Sequence, residues 1–186
     1  SFPNFERSVW PARGFKARRN ATCTTIAPTG TISIIAGCSS GIEPLFALAF
    51  VRNVLDGATL FEENRLFRQV ATERGFWSDH LMAQLARKGS CRGLEAVPDD
   101  VQRLFPTAHD IAPEWHVRIQ AAFQRHTDNA VSKTCNLPED ATPADVRHIF
   151  ELAYRLKCKG ITVYRYGSRP EQVLEIDEDA CHACVR

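Results

Sequence analysis

Two short stretches of the chain carry residue types and spacings suited to chemistry. The first is APTGTIS, residues 27–33. Hydroxyls at Thr29, Thr31 and Ser33 can cap a helix or meet an anion, and Gly30 lets a ligand approach the backbone closely. If a helix opens near Thr31, its first amides lack intrahelical partners and lie at the positive end of the helix dipole, which makes a phosphate cradle. The rival reading takes TISIIA as a strand, since β-branched residues dominate it. Threonine-glycine turns after strands are common, and spacing by itself leaves both readings open.

The second stretch is the pair Cys181 and Cys184 in EIDEDACHACVR. A C-x-x-C pair lowers the pKa of at least one thiol and exchanges readily with another disulfide. The same spacing is half of a zinc site, with His182 as a third ligand and the remainder to be borrowed. The acidic run before the pair suits a swinging arm. Cys23, Cys38, Cys91, Cys135 and Cys158 stand singly and read mainly as small buried hydrophobes. His80, His109, His116, His126 and His148 lack ligand spacing and are expected at solvated or capping positions.

The elements that would position these residues follow from hydrophobic periodicity. ATCTTIAP reads as a strand ending near Pro28. LFALAFVRNVLDG is apolar and closes on a turn-like Asp-Gly, so it is expected to be buried or interfacial. Helices are expected from Glu62 to Arg74, with Leu66, Phe67, Val70 and Ala71 inward and Gly75 at its end, and after the N-cap Ser78, with Leu81, Met82, Leu85 and Ala86 inward. A short third helix lies in VPDDVQRLFP. A fourth opens at Pro113 and carries Trp115, Ile119, Ala122 and Phe123 at helical spacing. SKTCNLP reads as a strand. Thr142-Pro143-Ala144-Asp145 then starts a helix carrying Val146, Ile149, Phe150, Ala153 and Leu156, and ITVYRYGS reads as a second strand. Strand, helix and strand in this order have the spacing of a parallel crossover.

The totals fit a globular chain: 186 residues, 44% hydrophobic and 24% charged, with a formal net charge of +1. Near-neutral charge favours neither a nucleic-acid nor a membrane partner, and no apolar run approaches the roughly 18 residues of a membrane span. A reducing cytoplasmic setting is the expectation for unpaired cysteines. The only methionine is Met82, and the chain opens directly on a proline-, arginine- and aromatic-rich passage, so a piece of a longer polypeptide is expected. The organisation is read as a connecting segment (1–19), the main α/β body (20–169) and a flexible tail (170–186).

RNATCTTIAPTGTISIIAGCSSGIEPLFALAF and HVRIQAAFQRHTDNAVSKTCNLPEDATPADVRHIFELAYRLKCKGITVYRYGSR together resemble two passages of adenosylcobalamin-dependent (class II) ribonucleotide reductases, in the family's order and spacing. The resemblance implies the C-terminal portion of a ten-stranded α/β barrel, incomplete in this chain. It implies that ribonucleotides are reduced to 2′-deoxyribonucleotides by radical chemistry, with adenosylcobalamin bound mostly by the missing part. Pro28, Thr29, Gly30, Thr31, Ile32 and Ser33 would then hold the phosphates of a ribonucleoside di- or triphosphate, and the strand reading of TISIIA gives way to a helix start. Cys181 and Cys184 would accept electrons from a thioredoxin-type reductant and re-reduce the active-site cysteines. A homodimer is implied for the complete enzyme. Ser132 and Lys133 would line the barrel end, without an assigned step.

The radical cysteine of the family sits in Asn-x-Cys-x-Glu, and no cysteine here has both flanking residues, so that role is carried onto none of them. Tyr164 and Tyr166 lie close to where related metal-radical reductases relay a radical, but a cobalamin enzyme makes its radical locally, so packing is expected of them. Two rivals differ in class. One is a stand-alone module that binds a nucleotide phosphate without catalysis, which exposed strand edges and apolar surface of a partial barrel disfavour. The other is a zinc-binding tail that contacts nucleic acid, which the charge disfavours.

Overall fold

The computed structural model describes residues 1–53, 59–168 and 174–175. Six α-helices lie among them: α1 (Gly30–Ala36), α2 (Arg65–Glu73), α3 (Asp79–Lys88), α4 (Asp99–Leu104), α5 (Pro113–Gln124) and α6 (Pro143–Arg155). The strands are β1 (Ala49–Asn53), β2 (Thr59–Glu63), β3 (Thr134–Leu137), β4 (Thr162–Arg165) and β5 (Leu174–Glu175). They form an antiparallel sheet in the order β2-β1-β5 and a parallel pair, β3-β4. The described strands do not close a barrel.

The β3-α6-β4 crossover forms as its sequence implies. Cys135 pairs with Val163 and Asn136 with Tyr164 in parallel register. Thr142 and Asp145 cap α6 reciprocally: Thr142 N donates to Asp145 Oδ2 at 2.8 Å, and Asp145 N donates back to Thr142 Oγ1 at 3.3 Å. Helix α6 lays Ile149, Leu152 and Ala153 over Val117, Cys135 and Leu137. Phe150, expected inward, is exposed instead.

A second core gathers around Phe67, Leu81, Leu85 and Val101, roofed by Leu48 and Ala49 of the apolar 45–50 stretch. Helix α3 forms as expected, with Ser78 Oγ accepting from Leu81 N at 3.1 Å and all four expected residues buried. Helix α2 begins three residues later than the sequence suggests, because Glu62 and Glu63 pair in β2 opposite Phe50 and Ala49. Its Leu66 faces outward. The antiparallel pairing of β1 with β2 was not read from the sequence.

Helix α5 corrects the sequence most sharply. Its apolar stripe, Trp115, Ile119 and Phe123, is exposed, and the buried face carries His116, Val117, Gln120, Ala121 and Gln124. The cause is hydrogen bonding. The neighbouring backbone is only partly paired, and buried amides satisfy it. Gln120 Nε2 donates to Val131 O at 3.1 Å and Gly160 O at 2.8 Å, while Gln124 Nε2 donates to Asn129 O at 2.8 Å.

Candidate functional site: the 27–33 loop and its supports

The strand expected up to Pro28 is a sparsely bonded extended segment. Ile26 forms a single parallel bridge to Val131, Ser132 N donates to Ile26 O at 2.9 Å, and Asn129 N donates to Thr24 O at 3.0 Å. The chain then turns at Thr29, whose φ of 53° is left-handed and uncommon for a residue with a Cβ, and enters α1 at Gly30. TISIIA is therefore helical, with Ser33 N donating to Thr29 O at 3.0 Å. By helix geometry, the amides of Gly30, Thr31 and Ile32 lack intrahelical acceptors.

The hydroxyls do not converge as the sequence suggests. Ser33 is buried and its Oγ donates to Gly30 O at 2.8 Å, inside the first turn of the helix. Thr29 Oγ1 accepts from Gly41 N at 2.8 Å instead of capping α1. Local bonding has drawn both away from an anion position, leaving the exposed Thr31 hydroxyl beside the amides. Ile32, Ile34 and Ile35 are also exposed, on a helix face that nothing among the described residues covers.

Below this loop lies a polar cluster in which Glu43 and His116 were not expected and Lys133 had no assigned step. Lys133 is 2% exposed, and its ammonium group reaches Glu43 Oε2 at 2.7 Å, His116 Nδ1 at 2.9 Å and Thr134 O at 2.6 Å. Three ammonium protons meet three acceptors, which makes Nδ1 of His116 an acceptor and puts its ring proton on Nε2, donating to Ala108 O at 3.0 Å. The sequence signal for this cluster is weak: a lysine between strand residues and a histidine on a helix face look solvated until the third dimension brings them together.

Burial, and then the adjacent Lys133 charge, push the His116 pKa below the ordinary histidine value. An unfolded chain takes up a proton at this residue below about pH 6.5 and the folded chain resists it, so stability is expected to be lost as pH falls from there towards the lowered folded value. Urea midpoints at about pH 7.5 and about pH 5.5 should differ less for His116→Gln than for the parent chain. An equal drop in both would remove His116 from the account. His109, also lowered by burial, contributes in the same direction.

The single cysteines separate by burial. Cys91 and Cys135 are buried, and desolvation raises each thiol to about 11, which suits inert packing. Cys23 and Cys38 are exposed. Cys181 and Cys184 lie outside the described residues, as does the rest of the tail apart from β5. Tyr166 stacks edge-on to His109 at 5.4 Å.

A parallel strand pair with its crossover helix, and an extended segment that turns directly into a helix, place the fold in the α/β class. The family model described as ribonucleotide reductase, barrel domain, matches residues 15–164, and the chain belongs to that family. It is 53% identical over 174 residues to a vitamin B12-dependent ribonucleoside-diphosphate reductase of Mycobacterium tuberculosis, covering 94% of this chain and 25% of that protein. A reductase of the same name from Thermoplasma acidophilum is 53% identical over 173 residues, covering 93% of this chain and 22% of its own length. The chain thus spans about a quarter of these curated relatives. Among solved structures, the Actinobacillus ureae class Id ribonucleotide reductase alpha subunit superposes with a TM-score of 0.66 at 22% identity, over 87% of this chain and 31% of that one, a likeness of fold. No described helix is long and apolar enough to cross a membrane.

Proposed function

We propose that this chain is the C-terminal part of the catalytic barrel of a cobalamin-dependent ribonucleotide reductase, and that its 27–33 loop holds the substrate's diphosphate. The single observation that carries the loop assignment is the left-handed turn at Thr29 opening directly into α1, which leaves the amides of Gly30, Thr31 and Ile32 without intrahelical acceptors or a side-chain cap. Backbone amides at the positive end of a helix favour an anion without selecting a base, as an enzyme acting on several ribonucleotides requires. The names of the relatives favour diphosphates over triphosphates as the substrate class.

When bound by the rest of the enzyme, adenosylcobalamin would supply the radical chemistry that ribose reduction needs, through homolysis of its cobalt-carbon bond. The described residues do not fit the cofactor: the isoleucines of the loop and of α1, Ile32, Ile34 and Ile35, are exposed and enclose no ring. Cofactor binding is assigned to the rest of the enzyme, and this chain's part is to orient the nucleotide by its phosphates. Cys181 and Cys184 are assigned the relay of electrons from a thioredoxin-type reductant, in a cytoplasmic, homodimeric enzyme.

In the complete enzyme, Thr31→Ala is expected to raise KM for a ribonucleoside diphosphate about tenfold with kcat little changed, the signature of lost ground-state binding. Ser33→Ala should do less, because that hydroxyl is already bonded to Gly30 O. An unchanged KM in Thr31→Ala overturns the phosphate assignment.

A further inference from the structure

Resting on that reading of the loop, we propose that Lys133 and Glu43 are positioning residues for ribonucleotide reduction. Their ion pair, buried on the Lys133 side, fixes the 40–43 turn, and that turn holds the 27–30 backbone in its substrate-binding shape.

The contacts run without a break from the ion pair to the loop. The Glu43 carboxylate is held at both oxygens, by Lys133 Nζ at 2.7 Å and by Thr134 N at 2.6 Å, so its position is set by β3. Glu43 N donates to Ser40 O at 2.9 Å and closes the turn. From the turn, Gly41 N donates to Thr29 Oγ1 at 2.8 Å, and Ser40 Oγ donates to Pro28 O. Gly41 itself adopts φ +52°, and a Cβ there would lie 2.9 Å from Ala27 O, so turn and loop are in direct backbone contact.

This arrangement explains two otherwise costly features. Thr29 is held left-handed, a conformation that persists only where surrounding contacts over-determine it, and the hydrogen bond to its own Oγ1 comes from the turn. Lys133 is a charge removed from water, which a fold tolerates only when every proton is met; Glu43, His116 and Thr134 meet all three. An apolar residue at 133 would fill the core more simply but would leave Glu43 tied by one hydrogen bond, able to swing toward solvent. The hydrogen bonds of Lys133 and Glu43 run to each other and to His116, Thr134 and Ser40, not to α1, so the pair acts through the loop and not on the substrate.

The test uses the complete reductase with Lys133→Met, Glu43→Gln and, as a reference for the loop itself, Thr31→Ala. Both pair variants are expected to raise KM for a ribonucleoside diphosphate about tenfold, and to weaken competition by inorganic pyrophosphate by about the same factor, with kcat nearly unchanged. General loosening of the fold would instead lower kcat and leave pyrophosphate competition in step with the active fraction. Glu43→Gln keeps the size and one acceptor of a partly exposed side chain, so it decides the matter should Lys133→Met fail to fold. A shift in Thr31→Ala with wild-type KM in Glu43→Gln overturns the brace and leaves the loop assignment standing. No shift in any of the three overturns both.

Discussion

Serine at both Cys181 and Cys184 is expected to cut thioredoxin-driven turnover by at least about a hundredfold while leaving dithiothreitol-driven turnover within about twofold. On the proposed relay, each reduction of a ribose would oxidise two active-site thiols to a disulfide that must be reopened before the next turnover. A thiolate of the tail pair would attack one sulfur of that disulfide, expelling the other as a thiolate and forming a mixed disulfide. The second tail thiol would then attack the tail sulfur of the mixed disulfide, so that two thiols are restored at the active site and one disulfide is left on the tail. Thioredoxin would reduce the tail disulfide by the same exchange. Serine cannot form either bond, whereas a small dithiol would reach the active-site disulfide directly. Equal loss with both reductants would show a structural tail instead, and zinc retained against a chelator by the parent and lost in the variant would identify the metal half-site reading.

The largest expected effect on stability is at Phe67. Its ring is 2% exposed and sits edge-on to Phe105 at 5.3 Å and Phe76 at 6.3 Å, at the centre of the core that anchors Leu48 and Ala49. Phe67→Ala removes most of a large side chain from a packed site and should cost about 3–5 kcal/mol, read as a lowered urea midpoint with an unchanged slope. Its neighbour on the same helix is the contrast. Leu66 is 66% exposed, and Leu66→Ala should change stability by no more than about 0.5 kcal/mol. Comparable losses at both positions would mean that α2 packs differently, or that another part of the complete enzyme covers Leu66.

The same contrast marks where reading by periodicity stopped. On α3 the apolar stripe and the buried face coincide, because its partners are apolar side chains and burial follows hydrophobicity. On α5 they are opposed. The facing backbone offers unpaired carbonyls at Val131, Asn129 and Gly160, and glutamine amides win that face over Trp115, Ile119 and Phe123. In the loop, glycine, threonine and the preceding proline left strand and helix both open, the family resemblance decided for a helix, and the hydroxyl partners were legible from neither. Thr29 Oγ1 is claimed by Gly41 N, twelve residues away, and no local pattern encodes that bond.

The sequence by itself determined the β3-α6-β4 crossover, the capped helices α3 and α6, and the family, since these depend on local capping, short-range periodicity and long unbroken motifs. Only the tertiary structure decided which face of α5 is buried, which hydroxyls remain beside the α1 amides, and that Glu43, His116 and Lys133 meet. Those outcomes turn on hydrogen bonds between groups as far as ninety residues apart, where a buried donor takes the acceptor that the fold brings within reach.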